Sequence, residues 1–145
     1  MSSTFYNLHY HVVFSTKERR PLIRSEWCAQ LHEYLGGTMR GLGGVAEVGG
    51  GVEDHVHLLV SLKTTDTPAE LVRELKKASS VWTEKYEPLF QWQEGYSIFS
   101  VSQTHVPRIR NYIMNQETHH HKIPFMDELK RLLEKNGVEY NPEYL

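Results

Sequence analysis

The segment His55-Val56-His57 puts two imidazoles at alternate positions of a short apolar stretch. Residues i and i+2 of a β-strand point to the same face, so the two rings would project side by side, while Val56 and Leu58 point to the other face. Neighbouring imidazoles are good ligands for a divalent metal ion. The spacing therefore predicts a metal site, although two histidines on the open face of a sheet would give the same pattern.

Tyr112 and Gln116 are four residues apart, which on a helix places them one turn apart on the same face. A phenol can attack phosphorus and form a covalent phosphotyrosine, but its ordinary pKa of about 10 means that it needs help to lose its proton. A nearby metal ion would polarise the phosphate. The carbonyl oxygen of Gln116 suits a hard cation such as Mg²⁺ or Mn²⁺. A half-buried tyrosine beside a hydrogen-bonding glutamine is the structural alternative.

These residues lie in a chain whose apolar periodicity predicts four strands and two helices in the order βαββαβ. The period is two in the strands and three to four in the helices. The predicted strands are 5–14, 45–48, 55–62 and 96–101. Ser25 and Thr67 are the predicted N-caps of the two helices. The glycines of 36–44 are expected to end the first helix, and those of 49–51 to lie in a hairpin loop. The order is typical of an α+β, ferredoxin-like sandwich with an antiparallel sheet.

Two more helices are predicted within about 104–136, beyond a sandwich that is already complete. Thr104 would cap the helix that carries the candidate nucleophile Tyr112, and the last helix would end at Gly137. We expect these helices to form an appendage within a single domain of residues 1–145. The tail after Gly137 carries Tyr140, Tyr144 and Leu145, which is apolar enough to dock on the rest of the chain.

The composition predicts an ordinary globular protein, with 39% hydrophobic and 23% charged residues in 145. The longest apolar run is too short to span a bilayer, and the N-terminus lacks the pattern of a signal peptide. One cysteine, Cys28, fits a reducing cytoplasm. The formal net charge of −2 does not favour nucleic acid, but a local groove can still be basic. The cations that could contact a phosphate backbone are Arg19, Arg20, Lys76, Lys77, Arg108 and Arg110.

Several segments together resemble the HUH-family single-tyrosine transposases, the small TnpA-like enzymes of hairpin-ended insertion sequences. The resemblance runs in order along the chain from Phe5 onward. Its segments are His11-Val12-Val13-Phe14-Ser15-Thr16-Lys17 with Arg19-Arg20-Pro21, Asp54-His55-Val56-His57-Leu58-Leu59-Val60, Gln93-Glu94-Gly95-Tyr96, Ser100-Val101, and Tyr112-Ile113 with Gln116 and His119-His120. A His-hydrophobic-His element followed by a tyrosine and a glutamine four residues later is a specific combination.

The resemblance implies roles for four residues. His55, His57 and Gln116 would hold Mg²⁺ or Mn²⁺, and Tyr112 would attack a phosphodiester of single-stranded DNA. The tyrosine would become linked to the 5′ phosphate, and a 3′ hydroxyl would later reseal the strand, so that hairpin-marked elements are cut out and inserted. Family members work as homodimers whose active sites combine the histidines of one subunit with the tyrosine of the other. We therefore expect a homodimer that binds single-stranded DNA with hairpin ends.

Two other functions, and an inactive descendant of such a transposase, which the intact Tyr112 disfavours, remain as alternatives. A replication initiator or nickase would use the same histidine pair and tyrosine, but such proteins are usually longer than this chain. A non-catalytic binder of single-stranded nucleic acid would use the exposed sheet of a ferredoxin-like fold for base stacking. The histidine pair on the predicted sheet face favours the transposase over the binder.

Overall fold

The computed structural model describes residues 3–120 and 123–145, which form an antiparallel sheet with helices on both faces. The sheet has four strands in the order β2-β3-β1-β4. The strands are β1 (Leu8–Ser15), β2 (Val45–Val52), β3 (His55–Leu62) and β4 (Ser97–Val101). The helices are α1 (Ser25–Gly41), α2 (Pro68–Thr83), α3 (Val106–Met114), α4 (Gln116–His120) and α5 (Phe125–Lys135). The predicted α+β class and βαββαβ order are confirmed. None of the described helices is long and apolar enough to cross a membrane.

The first face of the sheet packs against α1 and α2 and forms the largest apolar core. Strand alternation sends Val56, Leu58 and Val60 of β3 to this face, where all are buried. Leu31 and Leu35 of α1 recur at a spacing of four residues and meet them from above. Burying one such aliphatic side chain stabilises the fold by about 1.5–3 kcal/mol, so this face supplies most of the hydrophobic stabilisation.

The hairpin between β2 and β3 is tighter than the sequence predicts. Gly49, Gly50 and Gly51 lie within β2, and the turn consists of Glu53 and Asp54 alone. The register pairs Gly50 with His57. The glycines are needed because backbone or side chains of other elements lie against β2, and Gly51 adopts a φ of +142°. A run of glycines usually indicates a loop, but here it forms part of a strand that other elements approach closely.

The limits of the first helix also differ from the prediction. Ser25 is the first helical residue, Arg24 takes the N-cap position, and the helix continues through Gly36 to Gly41. Gly36 faces β2, where an added Cβ would lie 3.8 Å from the Cβ of Ala46. Packing against the sheet therefore outweighs the weak helix propensity of glycine. The start of α2 agrees with the prediction, with Thr67 at the N-cap and Pro68 first, although the Thr67 side chain makes no capping hydrogen bond.

The second face of the sheet is covered by α3, α4 and α5, which makes a third layer. One apolar cluster under α3 contains Leu59, Val101, Val106 and Ile113. A separate cluster under α5 contains Val13, Phe99, Phe125, Leu129 and Leu133, with Tyr140 and Leu145 of the tail packed against it. The C-terminal helices, which were expected to form an appendage, thus complete the burial of the sheet. The predicted docking of the tail is confirmed for Tyr140 and Leu145, whereas Tyr144 is exposed.

Candidate active site on the second face of the sheet

The two histidines of β3 lie side by side on the second face, as the alternation predicts. His55 and His57 are both 0% exposed, and their ring centroids are 5.0 Å apart. Phe125 of α5 stacks on the His55 ring with a centroid distance of 4.2 Å. The pair is therefore not a surface feature of an open sheet, because α5 covers it.

A carboxylate that the sequence analysis missed completes the group. Glu128 of α5 is 1% exposed, and its Oε1 lies 3.3 Å from Nε2 of His55 and 3.2 Å from Nε2 of His57. One ligand atom from each of the three residues lies within 4.8 Å of the others. Two imidazole nitrogens and a carboxylate oxygen are a donor set that suits a divalent metal ion, so the residues present fit the metal that the family resemblance implies.

Both histidines are held in orientation through their other ring nitrogen. Nδ1 of His55 lies 2.7 Å from Oδ1 of Asp54, and Nδ1 of His57 lies 2.7 Å from Nε2 of His11. A carboxylate accepts a hydrogen bond from Nδ1–H of the ring, so the proton of a neutral His55 lies on Nδ1 and Nε2 carries none. Partners of this kind fix the ring and raise its basicity as a ligand. Asp54 and His11 thus aim both Nε2 atoms at Glu128.

Gln116 reaches the same place from the first residue of α4. Its Oε1 lies 3.0 Å from Nε2 of His55, and its Nε2 donates to Oε2 of Glu128 at 2.9 Å. The predicted single helix from Thr104 through Gln116 is interrupted, because α3 ends at Met114 and Asn115 separates it from α4. The amide oxygen is beside the histidines, and its service as a metal ligand stays a prediction.

Tyr112 on α3 points its hydroxyl into this group and donates a hydrogen bond to Oε2 of Glu128. Its ring meets the His57 ring edge to face at 5.7 Å. Burial and then the Glu128 carboxylate raise the pKa of Tyr112 well above its ordinary value. The phenol therefore keeps its proton in this arrangement. The structure brings Tyr112, Gln116, His55 and His57 together within one chain, around a glutamate that the sequence did not single out.

The histidines differ in charge although all are buried. Burial would lower the pKa of His55, but hydrogen bonds with Asp54, Glu128 and Gln116 outweigh it and raise the pKa to about 9. Burial lowers the pKa of His11 to about 3, with a further contribution from His57. His55 is therefore positively charged near neutral pH, whereas His11 is neutral. The charge of His55 offsets the negative charge of the neighbouring carboxylates, as a bound cation would otherwise do.

Close packing of α3 on β2 sets the position of Tyr112 and Gln116. A Cβ added at Gly50 would overlap the carbonyl oxygen of Ile113 and lie 2.9 Å from its Cγ2. Ile113 itself is buried against Leu59. The absence of a side chain at Gly50 therefore lets the end of α3 approach the sheet directly opposite His57.

The positions of Glu128 and His11 in the sequence each carry a signal that points to the site. On α5, Phe125, Leu129 and Leu133 form the buried stripe, and Glu128 falls on the same side of the helix. A carboxylate on an apolar stripe needs a buried partner, so it marks a site. His11 lies on the same face of β1 as Val13. Because β1 pairs with β3 and Val13 is the partner of His57, His11 must lie beside the histidine pair of β3. The inference for His11 requires that the pairing of β1 with β3 is known.

The six candidate phosphate-binding cations do not form one surface. Lys76 donates to the carbonyl oxygens of Gln93 and Gly95, and Arg19 donates to the carbonyl oxygen of Leu145. Arg20 forms an exposed ion pair with Glu18. Lys77 is exposed on α2, whereas Arg108 and Arg110 are exposed on α3, on the other side of the sheet. Contacts with DNA remain predictions for all six, and the side chains of His119 and His120 and the whole of His121 lie outside the described residues.

Comparisons with known proteins identify the family of the chain. The sequence pattern of the family described as "Transposase IS200 like" matches residues 4–116, a range that contains His55, His57, Tyr112 and Gln116 but not Glu128. No curated protein matches the chain.

Two solved structures are similar in fold. A candidate transposase from Deinococcus radiodurans R1 has a TM-score of 0.66 at 25% identity, over 80% of this chain and 95% of that one. A REP-associated tyrosine transposase bound to a REP hairpin has a TM-score of 0.62 at 14% identity, over 83% of this chain and 74% of that one. The family match covers most of the chain. The chain therefore belongs to the IS200-like transposase family.

Proposed function

We propose that the chain is a transposase that cuts and rejoins single-stranded DNA through Tyr112. One observation carries the proposal: the Tyr112 hydroxyl is bonded to the carboxylate of Glu128, which also contacts both histidines. A nucleophile, a proton acceptor and a pair of metal ligands thus lie within one buried group. A structural tyrosine would not require this set of neighbours.

The reaction proposed is a transesterification at a DNA phosphodiester. The Oη of Tyr112 attacks phosphorus and the bond from phosphorus to the 3′ oxygen breaks, so the 5′ phosphate stays on the tyrosine. The leaving 3′ oxygen takes a proton from water and becomes a free 3′ hydroxyl. Glu128 Oε2, which already accepts the hydrogen bond of the phenol, takes the proton as the attack proceeds. In the second step a 3′ hydroxyl attacks the phosphotyrosine and loses its proton to water. The bond from phosphorus to Oη breaks, Oη takes back its proton from Glu128, and the strand is resealed.

His55, His57 and Glu128 would hold a divalent ion, Mg²⁺ or Mn²⁺, with the Gln116 oxygen as a further ligand. Such an ion would polarise the phosphate and stabilise the charge that develops on it. The chain's own residues prepare for this, because Asp54 and His11 orient the two rings before any ion binds. Gln116 also donates to Glu128, which keeps that carboxylate turned toward the histidines.

The proposed substrate is single-stranded DNA whose ends fold into hairpins, acted on in the cytoplasm. The REP-associated relative is bound to a hairpin, which supports this class of ligand. A homodimer that shares its active sites stays a prediction. In the single chain Tyr112 already lies next to the histidines of the same chain. Mixing Tyr112→Phe protein with His57→Ala protein distinguishes a site within one subunit from a site shared between two, because activity returns on mixing only if the sites are shared.

A covalent-adduct assay tests the proposal. Full-length protein is mixed with labelled single-stranded DNA from the flanks of its gene, with Mn²⁺ or with chelator, and run on a denaturing gel. We expect a metal-dependent adduct that Tyr112→Phe abolishes. Tyr86→Phe is the matched control, because Tyr86 stacks on Trp27 in the layer on the other face of the sheet. An adduct that survives Tyr112→Phe would contradict the assignment of the nucleophile.

A further inference from the structure

A cavity of about 740 Å³ opens beside the candidate active site, at the edge of the sheet. Its walls come from α1, from the edge strand β2, and from the junction of α3 with α4. The space exists because the facing residues are small. The side chains of Ser25, Cys28 and Ala29 on α1 look across at Gly49–Gly51 on β2. Its size falls within the 300–1,000 Å³ of sites that bind small organic groups.

The cavity and the active site share a wall. Gln116 lines the cavity, and the same side chain lies 3.0 Å from Nε2 of His55 and 2.9 Å from Oε2 of Glu128. Only the thickness of one side chain thus separates the cavity from the histidine pair. A polymer whose phosphate lies at the histidines would have a neighbouring unit at the mouth of the cavity.

The chemistry of the walls disfavours an anion. Three carboxylates, from Glu26, Glu53 and Glu117, face a single guanidinium, from Arg24. A phosphate inside would meet net negative charge, so the occupant must be neutral or carry hydrogen-bond donors.

Neutral hydrogen-bonding groups complete the lining. His32 lines the cavity, with its Nε2 3.6 Å from Sγ of Cys28, and burial followed by the charge of His55 lowers its pKa to about 4. A neutral imidazole offers one donor and one acceptor. Sγ of Cys28 lies 4.0 Å from the carbonyl oxygen of Gly51, so backbone of the edge strand also faces this side. A planar group with donors and acceptors on its edge fits these walls.

We propose that this cavity receives one unpaired nucleobase of the DNA strand, from a nucleotide adjacent to the phosphate that Tyr112 attacks. The inference rests on the proposed function, which supplies the strand. The base enters between α1 and β2 while its phosphate stays outside the acidic walls, at the histidines. The cavity thereby adds base recognition next to the cleaved bond, and residues of α1 that play no part in the chemistry select the sequence.

Cys28 is the only cysteine of the chain and lines the cavity, so its alkylation reports occupancy. The wild-type chain is saturated with the oligonucleotide that gives the adduct, in chelator to prevent turnover, and treated with iodoacetamide. We expect the rate of Cys28 alkylation to fall at least tenfold. The same oligonucleotide with an abasic site at each position in turn should restore the rate at one position next to the scissile phosphate, while anisotropy still reports bound DNA.

A second experiment fills the cavity. Ala29 lines it, whereas its neighbour Gln30 is exposed on α1 and does not, so Ala29→Phe and Gln30→Phe are a matched pair. The wild-type chain and Gln30→Phe should bind the intact oligonucleotide about tenfold more tightly than the sensitive abasic one. In Ala29→Phe the two affinities should become equal.

The outcomes separate this inference from the proposed function. Unchanged Cys28 alkylation under saturating DNA, with an adduct still formed by Tyr112, overturns the nucleobase cavity and leaves the transposase proposal intact. Protection that no abasic position relieves also overturns it, because the strand then covers the opening without inserting a base. Failure of every flank sequence to form an adduct overturns the proposed function, and the nucleobase assignment with it.

Discussion

The two faces of strand β3 are equally buried but are built on different chemistry. Val56, Leu58 and Val60 point into a continuous apolar core, whereas His55 and His57 point into a group of hydrogen-bonded polar side chains. Apolar packing tolerates exchange of one aliphatic side chain for another of similar volume. A buried polar group does not, because each donor and acceptor needs its partner. The first face therefore determines whether the chain folds, and the second determines what it can do.

The cover of the second face reflects this difference. Its apolar contacts are divided into one cluster under α3 and another under α5, and the histidines lie between them. Hydrogen bonds through Glu128 connect the helices across that gap, since it bonds Tyr112 of α3 and Gln116 of α4. A substitution on the second face should thus disturb the chemistry before it unfolds the chain, and a substitution on the first face should do the reverse.

The largest effect is expected from His57→Ala. Removing this ring takes away one of the proposed metal ligands, the partner of His11 and one of the contacts of Glu128. Metal-assisted stabilisation of a phosphate is worth several kcal/mol, so the single-turnover rate of adduct formation should fall about 1,000-fold or more. Circular dichroism should still report a folded chain at 25 °C. Adduct formation within tenfold of wild type would remove His57 from the site.

Leu58→Ala is the matched change on the opposite face of the same strand. The side chain is fully buried in the first core, and its truncation should lower the free energy of unfolding by about 2–5 kcal/mol. The rate of adduct formation per folded molecule should stay within a few-fold of wild type. Urea unfolding gives the first quantity and active-site titration the second. A rate loss as large as that of His57→Ala would mean that the two faces are not separable.

Gly50→Ala and Gly49→Ala test the same separation on β2. A methyl group at Gly50 collides with the backbone of Ile113, so α3 must shift and carry Tyr112 with it. A displacement of about 1 Å can cost roughly 100-fold in rate. At Gly49 the nearest atom is Cδ2 of Leu58 at 3.1 Å, a flexible side-chain end that can move. We expect Gly49→Ala to keep its adduct rate within a few-fold, and equal losses in both variants would contradict the role of Gly50.

The sequence predicts the fold wherever periodicity carries the information. The alternation in β3 separates Val56 and Leu58 from His55 and His57, and this separation is confirmed. The limits of β2 and α1 were predicted wrongly, because their glycines serve close packing between elements instead of turns. Such packing depends on which elements become neighbours, and one chain's local pattern does not contain that information.

The candidate site was predictable in part for the same reason. The spacing predicts that Tyr112 and Gln116 share a helix face, and strand geometry predicts that His55 and His57 share a strand face, but their proposed roles come from the family resemblance. Glu128 and His11 join the site only through tertiary contacts, since Glu128 lies 12 residues after Gln116 and His11 lies 46 residues before His57. The family match also ends at residue 116, so similarity alone does not reach Glu128.

The smallest effect is a pH dependence of stability that belongs to the second face alone. In chelator the folded pKa of His55 is about 9, above its ordinary value of 6.5, so its contribution is fully present below pH 6.5 and is lost as the pH rises toward 9. The free energy of unfolding should therefore fall between pH 6.5 and 8.5, by on the order of 1–3 kcal/mol after allowance for coupling to Glu128. Asp54→Asn should flatten this dependence, because it removes the largest of the interactions that raise the pKa of His55, whereas Glu53→Gln in the same turn should not. Leu58→Ala should lower the free energy of unfolding by the same amount at both pH values, since no titrating group is changed. A dependence that is just as steep in Asp54→Asn would show that His55 is not its source.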